Sequence, residues 1–437
     1  MGVIVAKFGG TSLCDAGQFR KVRQIVLADP RRRYIVPSAP GRRSSADRKI
    51  TDLLYLCHAQ SGDEREFQAV YEEIAGRYRG IVSELGLALD LEPHLAQIAA
   101  RILSGAPADY AASRGEYLCG LILSELLGFA FVDAAEVIRF DAEGALDVAR
   151  TREALERTFA RHERAVIPGF YGAVPDGGIR TFPRGGSDIT GAVVARFAGA
   201  EIYENWTDVP GFLMADPAVV RDPRPIEVIT YRELRELAYM GALVLHEEAI
   251  FPVREAGIPI HLRNTNDPGT AGTMIVREAP PNAHGAITGI AGRRDFSVIA
   301  LEKALMNTEL GFGRKLLAVL EKYGISFEHM PSGIDTISVV IADSQLDGKL
   351  PAVLEEIRRA CRPDALEVYP NMALIATVGR GMARTPGIAA KLFAALAGAG
   401  INVRMIDQGS SEINIIVGVE TEDFERAVRA IYGAFVA

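Results

Sequence analysis

The sequence predicts an α/β protein: a mostly parallel central sheet covered by helices, followed by two equal βαββ modules. Two observations carry that prediction. Across residues 1–285, short β-rich runs alternate with longer stretches of helical period, the pattern of βαβ units. Beyond them the chain repeats itself: "LGFGRKLLAVLEKYGISFEHMPSGIDTISVVI" (Leu310–Ile341) aligns with "TPGIAAKLFAALAGAGINVRMIDQGSSEINIIVGV" (Thr385–Val419) at one constant offset. Lys315 then matches Lys391, Leu320 matches Leu396, Gly324 matches Gly400 and Gly333 matches Gly409. The chain has 437 residues, 49% apolar and 24% charged, enough for several globular cores.

In chain order, Val3–Phe8 and Tyr34–Pro37 read as strands, and Gln18–Leu27 and Leu53–Ala59 as helices. The stretch Asp63–Leu103 is helical by period, an insertion expected near the substrate side. Phe129–Asp133, Ala165–Ile167 and Glu201–Tyr203 read as strands, and Gly191–Phe197 as a helix. Glu278–Gly292, with its Pro-Pro-Asn, reads as a linker. The division expected is therefore a catalytic domain over 1–285 and a region over 286–437, with copies near 297–372 and 373–437. Each copy offers a strand, a glycine loop, a helix stopped at Gly-Ile and a hairpin. A repeated pair of small modules behind a catalytic domain suggests a sensor.

Composition excludes several classes of function. A net charge of −8 argues against nucleic-acid partners and anionic membranes. No apolar run approaches the ~20 residues of a membrane-spanning helix. The chain runs directly into a strand, without a signal peptide, so a cytoplasmic location is expected. Arg31–Arg33 and Arg42–Arg43 read as solvated loops. Cys14, Cys57, Cys119 and Cys361 are scattered without metal spacing and read as core residues of a reducing compartment.

Three stretches could carry chemistry. In "VAKFGGTSLC" a strand ends in Lys7, then Gly9 and Gly10. The glycines would let the backbone approach an anion, with Thr11 or Ser12 capping the next helix and Lys7 meeting a phosphate as a point charge. In Arg184-Gly-Gly-Ser187-Asp188 an arginine, a serine and an aspartate suit carboxylate recognition, hydroxyl donation and orientation of a cation, while Asp188 could equally cap a helix. In "NWTDVPGF", Thr207 and Asp208 could face a ribose or a metal-bound phosphate. Each loop is expected just after a strand's carboxyl end, where open α/β sheets bind ligands. GxxxxGK[ST] is absent, no nucleophile pattern of serine or cysteine with histidine occurs, and His246-Glu247 lacks the second histidine of a zinc helix.

Together these residues resemble the aspartokinases. The resemblance spans nearly the whole chain: KFGGTS (Lys7–Ser12), Ser38–Pro40 with Lys49-Ile-Thr51, Arg114-Gly-Glu116, RGGSD (Arg184–Asp188), WTDVPG (Trp206–Gly211), Gly241–His246 and a closing pair of ACT modules. It implies the amino-acid-kinase sandwich fold, ATP and Mg²⁺ as cofactors and L-aspartate as phosphoryl acceptor. It implies that Lys7, Phe8, Gly9 and Gly10 hold the transferring phosphoryl group, with Asp188 orienting Lys7. Ser38, Thr51, Glu116, Arg184 and Ser187 would bind substrate, Glu116 at its ammonium and Arg184 at a carboxylate. Thr207, Asp208 and Leu213 would lie on the nucleotide side, and no protein metal ligand is implied. Three positions depart from the family pattern on that side: Leu213 for tyrosine, Ala218 for arginine and Leu243 for lysine, with Arg221 or Arg224 as substitutes. A feedback amino acid, lysine or threonine, is expected on the first module at Met306, Asn307, Phe312, Gly313 and Asp335, with Ser332 nearby. Pairing of the modules is expected to make a homodimer or larger assembly. Two other readings stay open: a relative acting on glutamate, acetylglutamate or a nucleotide, and a non-catalytic amino-acid sensor.

Overall fold

The structure, a computed structural model, describes residues 2–183, 185–242, 245, 247–279 and 285–436. Ile4, Val5, Ala6 and Phe8 are buried on both faces of their strand, so it must lie in the middle of a sheet. The strands in chain order are β1 (Ile4–Phe8), β2 (Arg32–Pro37), β3 (Ala130–Phe131), β4 (Ala165–Val166), β5 (Tyr171–Ala173), β6 (Ile179–Thr181), β7 (Ile202–Thr207), β8 (Val228–Thr230), β9 (Ile260–Asn264) and β10 (Thr273–Val276). Eight of them form one sheet in the order β3-β4-β2-β1-β7-β9-β10-β8, parallel except where β9 meets β10. β5 and β6 form a separate hairpin. Lys7 pairs in register with Val36 on one side and Asn205 on the other.

Helices cover both faces. Ala16–Ala28, Ile50–Ala59, Glu64–Leu85, Glu92–Leu103 and Ala108–Leu127 share one core with Ala6, Phe8 and Trp206. The helix Gly186–Phe197 begins five residues earlier than its apolar period alone suggests, at a glycine whose predecessor Gly185 has φ 77°. The expectation for Arg31–Arg33 is corrected. Arg32 and Arg33 lie in β2, and Arg32 is buried against Glu204 at 2.7 and 3.0 Å, with the Trp206 indole donating to the same carboxylate at 2.9 Å. A guanidinium between two strands is sheltered by the tertiary fold, which the local run of arginines does not reveal. All four cysteines are buried and free. No helix among the described residues is long and apolar enough to cross a membrane.

The chain forms two units. One comprises Met1–Phe212, Glu227–Tyr231 and Val244–Ala279, and the other Leu213–Ile226, Arg232–Leu243 and Pro280–Ala437. In the second, β11 (Gly289–Glu302), β12 (Thr336–Ala342), β13 (Ala365–Val378), β14 (Met405–Asp407) and β15 (Asn414–Glu420) make one antiparallel sheet ordered β12-β11-β13-β15-β14. The linker expectation is corrected here, since Gly289–Gly292 are already strand; its prolines lie outside the described residues. β11 and β13 are long and shared. Gly289–Arg293 pair with Leu374–Val378, and Val298–Glu302 pair with Ala365–Tyr369, across a register shift near Phe296. The two copies thus lie side by side in one sheet. Each also closes with a helix after its hairpin, Leu350–Cys361 and Phe424–Val436, which βαββ leaves out.

Candidate active site

Strand alternation sends Lys7 and Asn205 to the same face of the sheet, opposite Phe8 and Trp206. There Lys7 Nζ meets Asp188 Oδ1 at 2.6 Å, and Asn205 Nδ2 donates to the same oxygen at 2.7 Å. Asp188 sits in the first turn of Gly186–Phe197, and its N–H donates to the Gly185 carbonyl. It is not the cap, so the capping alternative falls away. Both charges are mostly buried, and Lys7 is held in one place.

Lys7 and Asp188 open into a cleft of about 1360 Å³ that is also lined by Ser38, Thr51, Glu116 and Ser187. The structure therefore brings together six residues from five separate points along the sequence. Arg184 lies outside the described residues, as does Leu243. Glu116 is buried on Ala108–Leu127, and one of its carboxylate oxygens makes no hydrogen bond among the described residues. Burial pushes its pKa up from 4.5 to about 8, against a backbone N–H at Ala39 and the charges of Arg114 and Lys7, which pull it down. A sheltered, under-bonded carboxylate beside a cleft is arranged to receive a cation.

The glycine turn differs from expectation. The Gly9 N–H is spent on the Trp206 carbonyl at 2.9 Å. Gly10–Leu13 form a single 3₁₀ turn, and the α-helix starts only at Ala16, capped by Asp15, which accepts from the Gln18 N–H. Ser12 bonds Thr265 at 2.8 Å instead of capping. Gly10 is required for packing: a Cβ there would lie 2.7 Å from the Ala39 carbonyl oxygen. On the other side of the same residue, a Cβ at Gly115 would lie 2.8 Å from the Ala39 Cβ. The Ser38–Pro40 turn is wedged between two glycines, and this places Ser38 and Glu116 on one wall.

Of the three loops, only the first and third follow strands of the large sheet. The second follows β6 of the separate hairpin, and Thr207 is the last residue of β7 rather than part of a loop. The Thr207 hydroxyl donates to Asp208 at 3.1 Å. Leu213, Ala218, Arg221 and Arg224 belong to the second unit; Arg221 pairs with Asp222 at 3.5 Å and the Arg224 N–H donates to the Tyr432 hydroxyl. In the first C-terminal copy, the Asn307 N–H donates to the Ile334 carbonyl and the Lys303 N–H to the Asp335 carbonyl, so Asn307, Ser332 and Asp335 converge on one exposed edge. Met306 and Phe312 point into the core, while Gly313 is half-buried on the helix Phe312–Lys322.

Asn205, Lys49 and Phe170 were missed from the sequence. Asn205 stands within the quoted NWTDVPGF stretch, but its register with Lys7 comes from strand pairing that the sequence does not show. Lys49 and Phe170 line the cleft only through the tertiary fold.

The amino acid kinase family matches residues 2–264 and the ACT domain matches residues 375–435. Aspartokinase 3 of Bacillus subtilis is 36% identical over 448 residues, which cover 99% of this chain and 98% of that one. The crystal structure of Clostridium acetobutylicum aspartate kinase, described as an allosteric enzyme, is 54% identical, covers all of both chains and superposes with a TM-score of 0.92. Aspartokinase III of Escherichia coli has been solved with aspartate and ADP (26% identical, TM-score 0.74, 99% of each chain) and with lysine and aspartate (25%, TM-score 0.76, all of each chain). With most of its length matched by the family and nearly all of it by the Bacillus protein, the chain belongs to the aspartokinases of the amino acid kinase family.

Proposed function

We propose that the protein transfers the γ-phosphoryl group of ATP to the side-chain carboxylate of L-aspartate, giving 4-phospho-L-aspartate and ADP under feedback from an amino acid. The observation that carries this reading is one cleft lined by both a fixed lysine–aspartate pair and an under-bonded buried glutamate. Glu116 receives the substrate ammonium, Arg184 a substrate carboxylate, and Ser38, Thr51 and Ser187 complete the pocket. The other carboxylate forms the new bond to phosphorus while the bond to the bridging oxygen of ADP breaks. It is already ionised, so no strong general base is needed. Lys7, oriented by Asp188 and Asn205, neutralises charge spread over the transferring oxygens.

Among the described residues no three histidine, cysteine, aspartate or glutamate side chains converge on a metal site. In this reading Mg²⁺ is carried by the nucleotide phosphates, with Thr207 and Asp208 facing the ribose or the metal-bound phosphate. When bound, Mg²⁺ would neutralise phosphate charge. Phe8, Gly9, Gly10 and Thr207 complete the nucleotide side. The reading further includes a catalytic domain over 1–285, a regulatory region over 286–437 that makes a homodimer or larger assembly, and a cytoplasmic location. Asn307, Gly313 and Asp335 would hold the effector, lysine before threonine; the buried Met306 and Phe312 would shape that edge from beneath.

The test is formation of a hydroxylamine-trappable acyl phosphate from Mg-ATP and L-aspartate. Equal or faster turnover of L-glutamate would overturn the assignment.

A further inference from the structure

Phe170 lines the cleft with φ 80°, a backbone conformation that a bulky aromatic residue rarely adopts. Neighbours hold it there on every side. Its N–H donates to the Thr190 hydroxyl at 3.0 Å, its carbonyl accepts from the Phe182 N–H at 2.8 Å, and the preceding Gly169 N–H donates to the Pro37 carbonyl at 3.0 Å. Thr190 is fully buried and its hydroxyl also donates to the Gly186 carbonyl at 3.0 Å. The two chains interlock without room to spare. A Cβ at Gly186 would lie 2.6 Å from the Phe170 ring, and a Cβ at Gly169 would lie 2.6 Å from the Ser187 Cβ.

We propose that Phe170 is a positioning residue for phosphoryl transfer: its ring, thrust forward by the left-handed backbone, sets the Gly186–Asp188 turn and so places Ser187 and the Asp188–Lys7 pair. Glycine adopts this φ without penalty, so backbone economy alone would put glycine here. The ring is what glycine could not supply. Gly169, tied to Pro37 beside Ser38, links the same device to the Ser38 side of the pocket.

The inference rests on the aspartate reaction proposed above. Wild-type turnover of aspartate tests that reading, whereas the ratio of variant to wild type tests this one. Phe170→Gly keeps a permitted backbone and removes the ring. It is expected to lower kcat roughly 10²-fold, the scale of an ångström's misplacement of catalytic groups, with the ATP KM little changed. Phe170→Tyr should restore wild-type values. Wild-type kcat in Phe170→Gly, or a loss confined to the KM of either substrate, would overturn the proposal. If Phe170→Gly does not fold, Thr190→Val removes the hydroxyl that accepts from the Phe170 N–H and donates to the Gly186 carbonyl, loosening the ring from the turn it sets. It should likewise lower kcat with the ATP KM little changed, and a wild-type kcat would overturn the proposal equally.

Discussion

Replacing Glu116 with glutamine should alter both how stability depends on pH and how aspartate is captured. In the folded protein burial raises this carboxyl from 4.5 to about 8. In the unfolded chain it titrates near its ordinary value, ~4.3. Between those two values the folded state binds more protons than the unfolded state. The associated stability is therefore complete below the unfolded pKa and is lost as pH rises through the folded one. The gap corresponds to about 5 kcal/mol at most, at about 1.4 kcal/mol per pH unit, reduced in practice by water and by Arg114 and Lys7 nearby. Glu116→Gln removes the titration. It should match the wild type near pH 5 and exceed it by roughly 2–4 kcal/mol near pH 9. Urea unfolding of both proteins across that range measures the difference. In parallel, wild-type kcat/KM for aspartate should rise through about pH 8, because only the ionised carboxylate holds an ammonium. Parallel stability curves, or the same rising limb in the residual activity of Glu116→Gln, would refute the reasoning.

Lys7→Ala should lower kcat by roughly 10²–10³, the scale for a lost charge-stabilising donor, with the fold intact by circular dichroism. Glu204→Gln leaves Arg32 with a neutral partner in a buried pair and should cost about 3–5 kcal/mol in denaturant unfolding, with little change in KM for either substrate. Lysine, threonine or both should inhibit the wild type, and a coupling of ~1–3 kcal/mol would shift substrate affinity several-fold to a hundredfold. Asp335→Ala should blunt that inhibition, and an unchanged inhibition curve would remove Asp335 from the effector site.

The large sheet was legible because its central strands are apolar runs bounded by helices of clear period, as Val3–Phe8 shows. The edges were not. β3 and β4 are two residues each, too short to carry a period, and Thr207 ends a strand that its polar neighbours disguise. The repeat predicted two modules, yet offsets in a sequence cannot say that β11 and β13 pair along most of their length. That pairing is non-local and depends on a register shift at Phe296. Arg32 failed for the same reason, since its partner Glu204 is supplied by another strand.

In the site, residue types were more legible than the work each one does. A lysine at a strand end and an aspartate in a glycine turn already suggested a cation and its orienting partner, and they meet at 2.6 Å. The glycines say less, because the same two letters serve anion approach and chain packing, and the packing role of Gly10 shows only in distances. Gly10 and Gly115 both face Ala39, so adding one methyl group at either would drive the Ser38 turn outward. Much of the carboxylate pocket therefore depends on atoms that are missing from two side chains. That dependence gives its own expectation: Gly115→Ala should raise the aspartate KM by moving Ser38 and Glu116 apart, and leave the Lys7–Asp188 pair and kcat nearly as they were. A fall in kcat with an unchanged KM would mean that the wedge supports the lysine instead of the substrate wall.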